Sequence, residues 1–144
     1  MTEITNIDEA PYVQDTSIRG GSWQYLDLSG DHLGVRVEIL APGATSSYHH
    51  YHTLEEEHVL VLEGSATLYL GDEAVPLESG DHMCFRAGNP VAHHIENTSG
   101  DPFQFLVFGE RREGDVVFYP EGKVAMVKAL DFKQFTYRER DDAD

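Results

Sequence analysis

Apolar residues in this chain recur in runs of strand length, often at every second position, and turn residues separate the runs. The runs are "SWQYLDL", "GVRVEIL", "SSYHHYH", "EHVLVLE", "SATLYLG", "EAVPLES", "DHMCFRA", "AHHIENT", "PFQFLVFG" and "DVVFY". The breaks at "APGA", "EGS", "GDE", "ESGD", "AGNP" and "TSGDP" supply Gly, Pro, Asn and Asp where the backbone must reverse. No stretch of helical period lies between Trp23 and Tyr119. The pattern therefore predicts an all-β domain, a sandwich or barrel that limits its exposed edges. There is no internal repeat, so one barrel is expected over residues 21–137, preceded by an arm over 1–20 and followed by a charged tail over 138–144. "HVLVL", His58 to Leu62, breaks the alternation, so both faces of that strand should be covered. A second sheet, the arm or a second subunit would cover it, and a homodimer is the expectation.

Composition narrows the partners. The 144 residues are 40% hydrophobic, enough for one continuous core. Twenty-six acidic against ten basic side chains give a net charge of -16, which repels phosphate backbones and anionic lipid. Neither nucleic acid nor a membrane is expected as a partner; a small-molecule substrate or ligand is. Cys84 is the single cysteine, so no internal disulfide forms, and the N-terminus has neither a basic region nor an apolar one. A cytoplasmic location is expected.

The chemistry concentrates in "HHYHTLEEE", His49 to Glu57. On an extended strand His50 and His52 point to one side, with Tyr48 beside them and His49 and Tyr51 opposite. After a turn at Thr53 and Leu54, a hairpin return can bring Glu57 over the pair. Two imidazoles and a carboxylate suit a divalent first-row ion, whether zinc, nickel, manganese, iron or cobalt. The competing reading is a solvated hairpin tip in a chain with eight histidines.

Gly43, His50, His52, Glu57 and Gly64, spaced by six, one, four and six residues, resemble the first signature of the cupin superfamily. "GDHMCFRAGNPVAHHIEN" resembles its second, with Gly80 and Asp81 opening it, Ala87-Gly88 turning it and His93 four residues before Asn97. Arg86 stands where the family usually has proline, and "NPVA" lengthens the loop before His93 by two residues. The resemblance covers roughly residues 25–110. It implies a cupin-type double-stranded β-helix, a jelly-roll barrel, in which His50, His52, Glu57 and His93 hold one divalent transition metal. Only one of the adjacent His93 and His94 can face inward, and the spacing to Asn97 selects His93; the interval to Gly64 selects Glu57 over Glu56.

Cupins include isomerases, dioxygenases, lyases, decarboxylases, epimerases and sugar- or effector-binding proteins, so the fold supplies a menu. The chain looks like small bacterial cupins labelled sugar-phosphate isomerases, which implies a metalloenzyme acting on a small polar metabolite. An Fe(II)-dependent dioxygenase and a non-catalytic small-molecule sensor are the alternatives. Three further residues are candidates for substrate binding. Tyr48 should share the inward face; Arg36 either grips an anion or pairs with Glu38 or another acid on a solvated face; Arg86 sits beside the second motif. Glu55, Glu56 and His49 read as solvated neighbours, His32, His58 and His82 as hydrogen-bonded bystanders, and Cys84 as a small buried residue.

Overall fold

The computed structural model describes residues 3–15 and 21–140. The parts of the expected arm and tail at 1–2, 16–20 and 141–144 lie outside the described residues. Among the described residues thirteen strands run in chain order: β1 (Val13–Asp15), β2 (Trp23–Asp27), β3 (Leu33–Leu40), β4 (Tyr51–His52), β5 (Glu57–Glu63), β6 (Ser65–Leu70), β7 (Glu73–Glu78), β8 (His82–Phe85), β9 (His93–Glu96), β10 (Phe103–Glu110), β11 (Val116–Tyr119), β12 (Val124–Val127) and β13 (Lys133–Thr136). Three-residue 3₁₀ turns at Pro120–Gly122 and Lys128–Leu130 flank β12. Among the described residues, no helix is long and apolar enough to cross a membrane.

All strand pairings are antiparallel. One sheet has the order β1-β2-β3-β10-β5-β8; the opposing layer consists of β7-β6-β9 and β13-β12-β11-β4, linked by an isolated bridge between His50 and His93. The period-two pattern explains the packing. Leu40, Val59, Val61, Phe103 and Phe105 from the first sheet meet Ala66, Leu68, Leu77 and Ile95 from the second in one core. This is the all-β jelly-roll expected from the sequence.

"HVLVL" is less symmetrical than its composition. Val59 and Val61 are 2% and 1% exposed in the core, whereas Leu60 and Leu62 on the outer face stay half-buried. On the same sheet, Gln104 Nε2 donates to Tyr12 Oη at 3.3 Å, tying the N-terminal segment to β10.

The "SSYHHYH" run is mostly not a strand. Thr45 bridges Glu96 and His50 bridges His93, so residues 46–49 stand against only 94 and 95. The surplus bulges outward, which breaks the alternation assumed from sequence. Ser46 secures the bulge, its N–H donating to the Ile95 carbonyl and its Oγ accepting the Ile95 N–H. β12 and β13 are not evident from the sequence because "VAMV" is only four residues long and does not alternate, while "KQFT" is exposed throughout.

Candidate metal centre

Four elements deliver the site. The His50 bridge and β4 carry His50 and His52, β5 opens with Glu57, and β9 opens with His93. One donor atom from each of His50, His52 and Glu57 lies within 4.8 Å of the others. His52 Nε2 is 3.7 Å from Glu57 Oε2, and His93 Nε2 is 3.8 Å from Glu57 Oε1. The His50 and His93 rings are 4.7 Å apart at their centroids, those of His50 and His52 5.1 Å. The four residues expected from the sequence are therefore brought together.

The surrounding hydrogen bonds select the tautomers. His50 Nδ1–H donates to the Tyr48 carbonyl at 2.7 Å, with Ser47 Oγ at 3.2 Å from the same nitrogen. His52 Nδ1–H donates to Asp115 Oδ2 at 2.7 Å. Both assignments leave Nε2 with its lone pair toward Glu57. His93 is clamped differently: Phe85 stacks on its ring with centroids 3.6 Å apart and planes 3° from parallel. His93 Nε2 is buried and has no hydrogen-bond partner. A buried nitrogen without a partner costs free energy unless something else engages it, and a cation between the imidazoles and Glu57 would do so. The donor set, three neutral nitrogens and one carboxylate oxygen, fits a divalent transition metal.

Charge is arranged to the same end. Burial, then the adjacent His93, drives His50 down to about 4, so its ring is neutral near pH 7. Burial works against ionisation of Glu57, but the His93, His50 and His52 imidazoles outweigh it and hold the carboxyl below its ordinary range. For His52, burial is outweighed by Asp115, Glu57 and Glu55, which raise it.

Asp115 had no role in the sequence reading. It is 1% exposed at the start of the β11 segment. Burial is outweighed there by the His52 hydrogen bond and by the Leu54 and Glu55 N–H groups at 2.9 and 3.2 Å, which keep its carboxyl below the usual range. It lies 63 residues from His52, and only the β11–β4 pairing joins them. Glu55, expected to be solvated, is part of the same network. It lies 3.6 Å from His52 Nδ1 and pairs with Lys128 Nζ at 2.6 Å.

Two small cavities, of about 150 and about 130 Å³, share Phe85 and His93. The first is lined by His52, Met83 and Arg86 among others; the second by His50, Glu57 and Glu38. Glu38, 7% exposed, is a second carboxylate at the centre that the sequence reading treated only as a partner for Arg36. Tyr119 stands beside His50, ring centroids 5.8 Å apart, and burial raises its phenol.

The three substrate-binding candidates separate. Tyr48 does not share the inward face: its side chain is 64% exposed because the bulge carries it outward, and only its carbonyl serves the site. Arg36 is not on a solvated face. In register it sits opposite Val107 and Asp27, on the inner side of the sheet, with its guanidinium 4.0 Å from the Tyr25 ring centroid and 5.4 Å from that of Trp23. Arg86 is exposed and lines the first cavity. His94 faces away from the centre, stacked on Tyr69 and with Nδ1 2.7 Å from His49 Nδ1.

The Cupin domain family matches residues 36–109, which span both histidine motifs. No curated protein matches the chain. Among solved structures, a sugar phosphate isomerase of the cupin superfamily from Silicibacter pomeroyi superposes with a TM-score of 0.76 at 27% identity, covering 86% of this chain and 85% of that one. A protein from Acidithiobacillus ferrooxidans described as a candidate sugar phosphate isomerase gives 0.77 at 27% identity, over 92% and 93%. An oxalate decarboxylase candidate from Thermotoga maritima gives 0.66 at 22% identity, over 76% and 100%, a likeness of fold alone. With the barrel, the His50–His93 centre and a family match over both motifs in hand, the chain belongs to the cupin superfamily.

Proposed function

We propose that this cupin is a metalloenzyme that isomerises a small α-hydroxycarbonyl compound, of the sugar or sugar phosphate class, with a divalent metal held by His50, His52, Glu57 and His93. The observation that carries the metal is the buried, partnerless Nε2 of His93 facing Glu57. The observation that favours isomerisation is Glu38, a carboxylate that is not one of the four proposed ligands but lines the same cavity as His50, Glu57 and His93. Two structural neighbours bearing sugar phosphate isomerase names support the substrate class.

A bound dication of this kind polarises carbonyl and hydroxyl oxygens and stabilises negative charge that develops on them. The chain supplies the rest. Glu38 takes the proton from the carbon bearing the hydroxyl and returns it to the neighbouring carbon, while the hydroxyl proton passes to the former carbonyl oxygen, so aldose and ketose interconvert with atoms and electrons in balance. The cavity walls Val59, Phe85, Phe105 and Val107 keep bulk water from that carbon. Arg86, an exposed cation lining the first cavity, would pair with an anionic substituent that extends there.

The test is a panel of sugars and sugar phosphates incubated in D₂O with metal-free and metal-reloaded protein, read by NMR. Deuterium should enter the α-carbon only with metal present. Glu38→Gln should keep the metal and lose ~10²-fold or more in kcat. Turnover that survives metal removal would end the proposal, as would turnover that stops when oxygen is excluded, which marks a dioxygenase. Binding with neither isomerised product nor deuterium exchange would identify a sensor.

A further inference from the structure

The outer face of the six-stranded sheet carries a second cluster of metal-binding side chains. Antiparallel register sets His58 opposite Cys84 and Leu60 opposite His82. Val59 belongs to the core and Met83 and Phe85 pack against it, so alternation puts His58, His82 and Cys84 together on the other side. Glu56, two residues before His58, reaches the same patch. His58 Nε2 is 2.9 Å from Glu56 Oε2 and 3.6 Å from Cys84 Sγ, while its Nδ1 is 3.0 Å from His82 Nε2. A donor atom from each of Glu56, His58 and Cys84 lies within 4.8 Å of the others.

Two features separate this cluster from surface polar contacts. First, the His58 ring lies parallel to Phe108, with centroids 5.0 Å apart and planes at 3°, and meets the His82 ring edge to edge through the 3.0 Å Nδ1–Nε2 contact. It is thus held in one orientation before any ligand arrives. Second, Glu56 and Cys84 converge on one ring nitrogen, which has a single proton or a single lone pair to offer and cannot serve both well. A cation among the three satisfies all of them.

We propose that Glu56, His58 Nε2 and the Cys84 thiolate form a second transition-metal site on the outside of the barrel, with His82 as a positioning residue that accepts the Nδ1–H of His58. On binding, the Cys84 thiol releases its proton to solvent. Two anionic donors and one neutral imidazole neutralise a dication and leave a fourth tetrahedral position open. The thiolate biases this site toward zinc and similarly soft ions, whereas the interior centre has no sulfur. The inference is independent of the isomerase reading.

Cobalt(II) titration of the metal-free full-length protein tests it, because only a thiolate ligand gives a sulfur-to-cobalt charge-transfer band in the near ultraviolet. The expected result is two equivalents bound, one of them carrying the band. Cys84→Ser should lose the band and one equivalent; His52→Ala should lose the other equivalent and keep the band. His82→Ala should weaken the band-forming site by ~10–100-fold. A single equivalent carrying the band would support this site and sink the interior one. A titration with no band, or Cys84→Ser retaining both equivalents, would overturn the proposal. Should Cys84→Ser fail to fold, an unchanged titration in Glu56→Gln would overturn it as well.

Discussion

Asp115 orients an imidazole from beneath by accepting the Nδ1–H of His52 and two backbone N–H groups, and so turns Nε2 toward the cavity. Asn in its place keeps the volume but lets an amide face a ring nitrogen, which favours the wrong tautomer. Asp115→Asn should therefore weaken metal binding by ~10–100-fold in equilibrium dialysis; unchanged affinity would mean that His52 does not bind through Nε2. Adjacent histidines give a sharper contrast. His93→Ala should lose most of the metal and His94→Ala should keep it, since His94 packs on Tyr69 instead. Metal analysis of the purified variants decides, and the reverse outcome would reassign the ligand. Asn97, the last residue of the second motif, is structural. It is 1% exposed, and its Nδ2 donates to the Leu40 and Asp101 carbonyls at 2.8 Å each.

Among the elements, the β10–β5 pair matters most because it aims Glu57. Gly109 lies opposite Glu57, and a Cβ there would sit 2.6 Å from the Glu56 carbonyl oxygen and 3.2 Å from the Glu57 Cα. Backbone cannot yield as a side-chain tip can, so the strands must part. Gly109→Ala should cost ~1–3 kcal/mol in urea unfolding and also weaken metal binding. A variant of native stability and full metal content would show that the strand has slack at that point. The opposing layer shows how a period-two reading fails locally. Parity assigned His50, His52 and Glu57 to one site, yet misplaced Tyr48, because the surplus residues between the Thr45 and His50 bridges cancel the alternation.

For the whole molecule, charge sets the terms of substrate approach. At -16 the protein repels anions, and Glu38 and Glu57 line the cavity itself. A phosphorylated substrate should accordingly associate faster as salt screens that repulsion, over the range where the Debye length falls from ~30 Å at 0.01 M to ~10 Å at 0.1 M. Stopped-flow binding would measure this. An association rate that falls with salt would instead reveal a local cationic patch, centred on Arg86, that overrides the net charge.

What the sequence determined by itself was periodic or local: strand positions from alternation, turns from Gly, Pro, Asn and Asp, and two motifs whose resemblance to the cupin signatures implied His50, His52, Glu57 and His93. These depend on contacts within a few residues, or on a repeat that survives in the linear order. Tertiary structure alone decided the rest. Asp115 meets His52 across 63 residues, Arg36 turns inward to stack on Tyr25, and Glu56, His58 and Cys84 gather on the outer sheet face. Each of these depends on strand register and on which face the core claims, and both are settled by packing among distant segments rather than by any neighbouring residue.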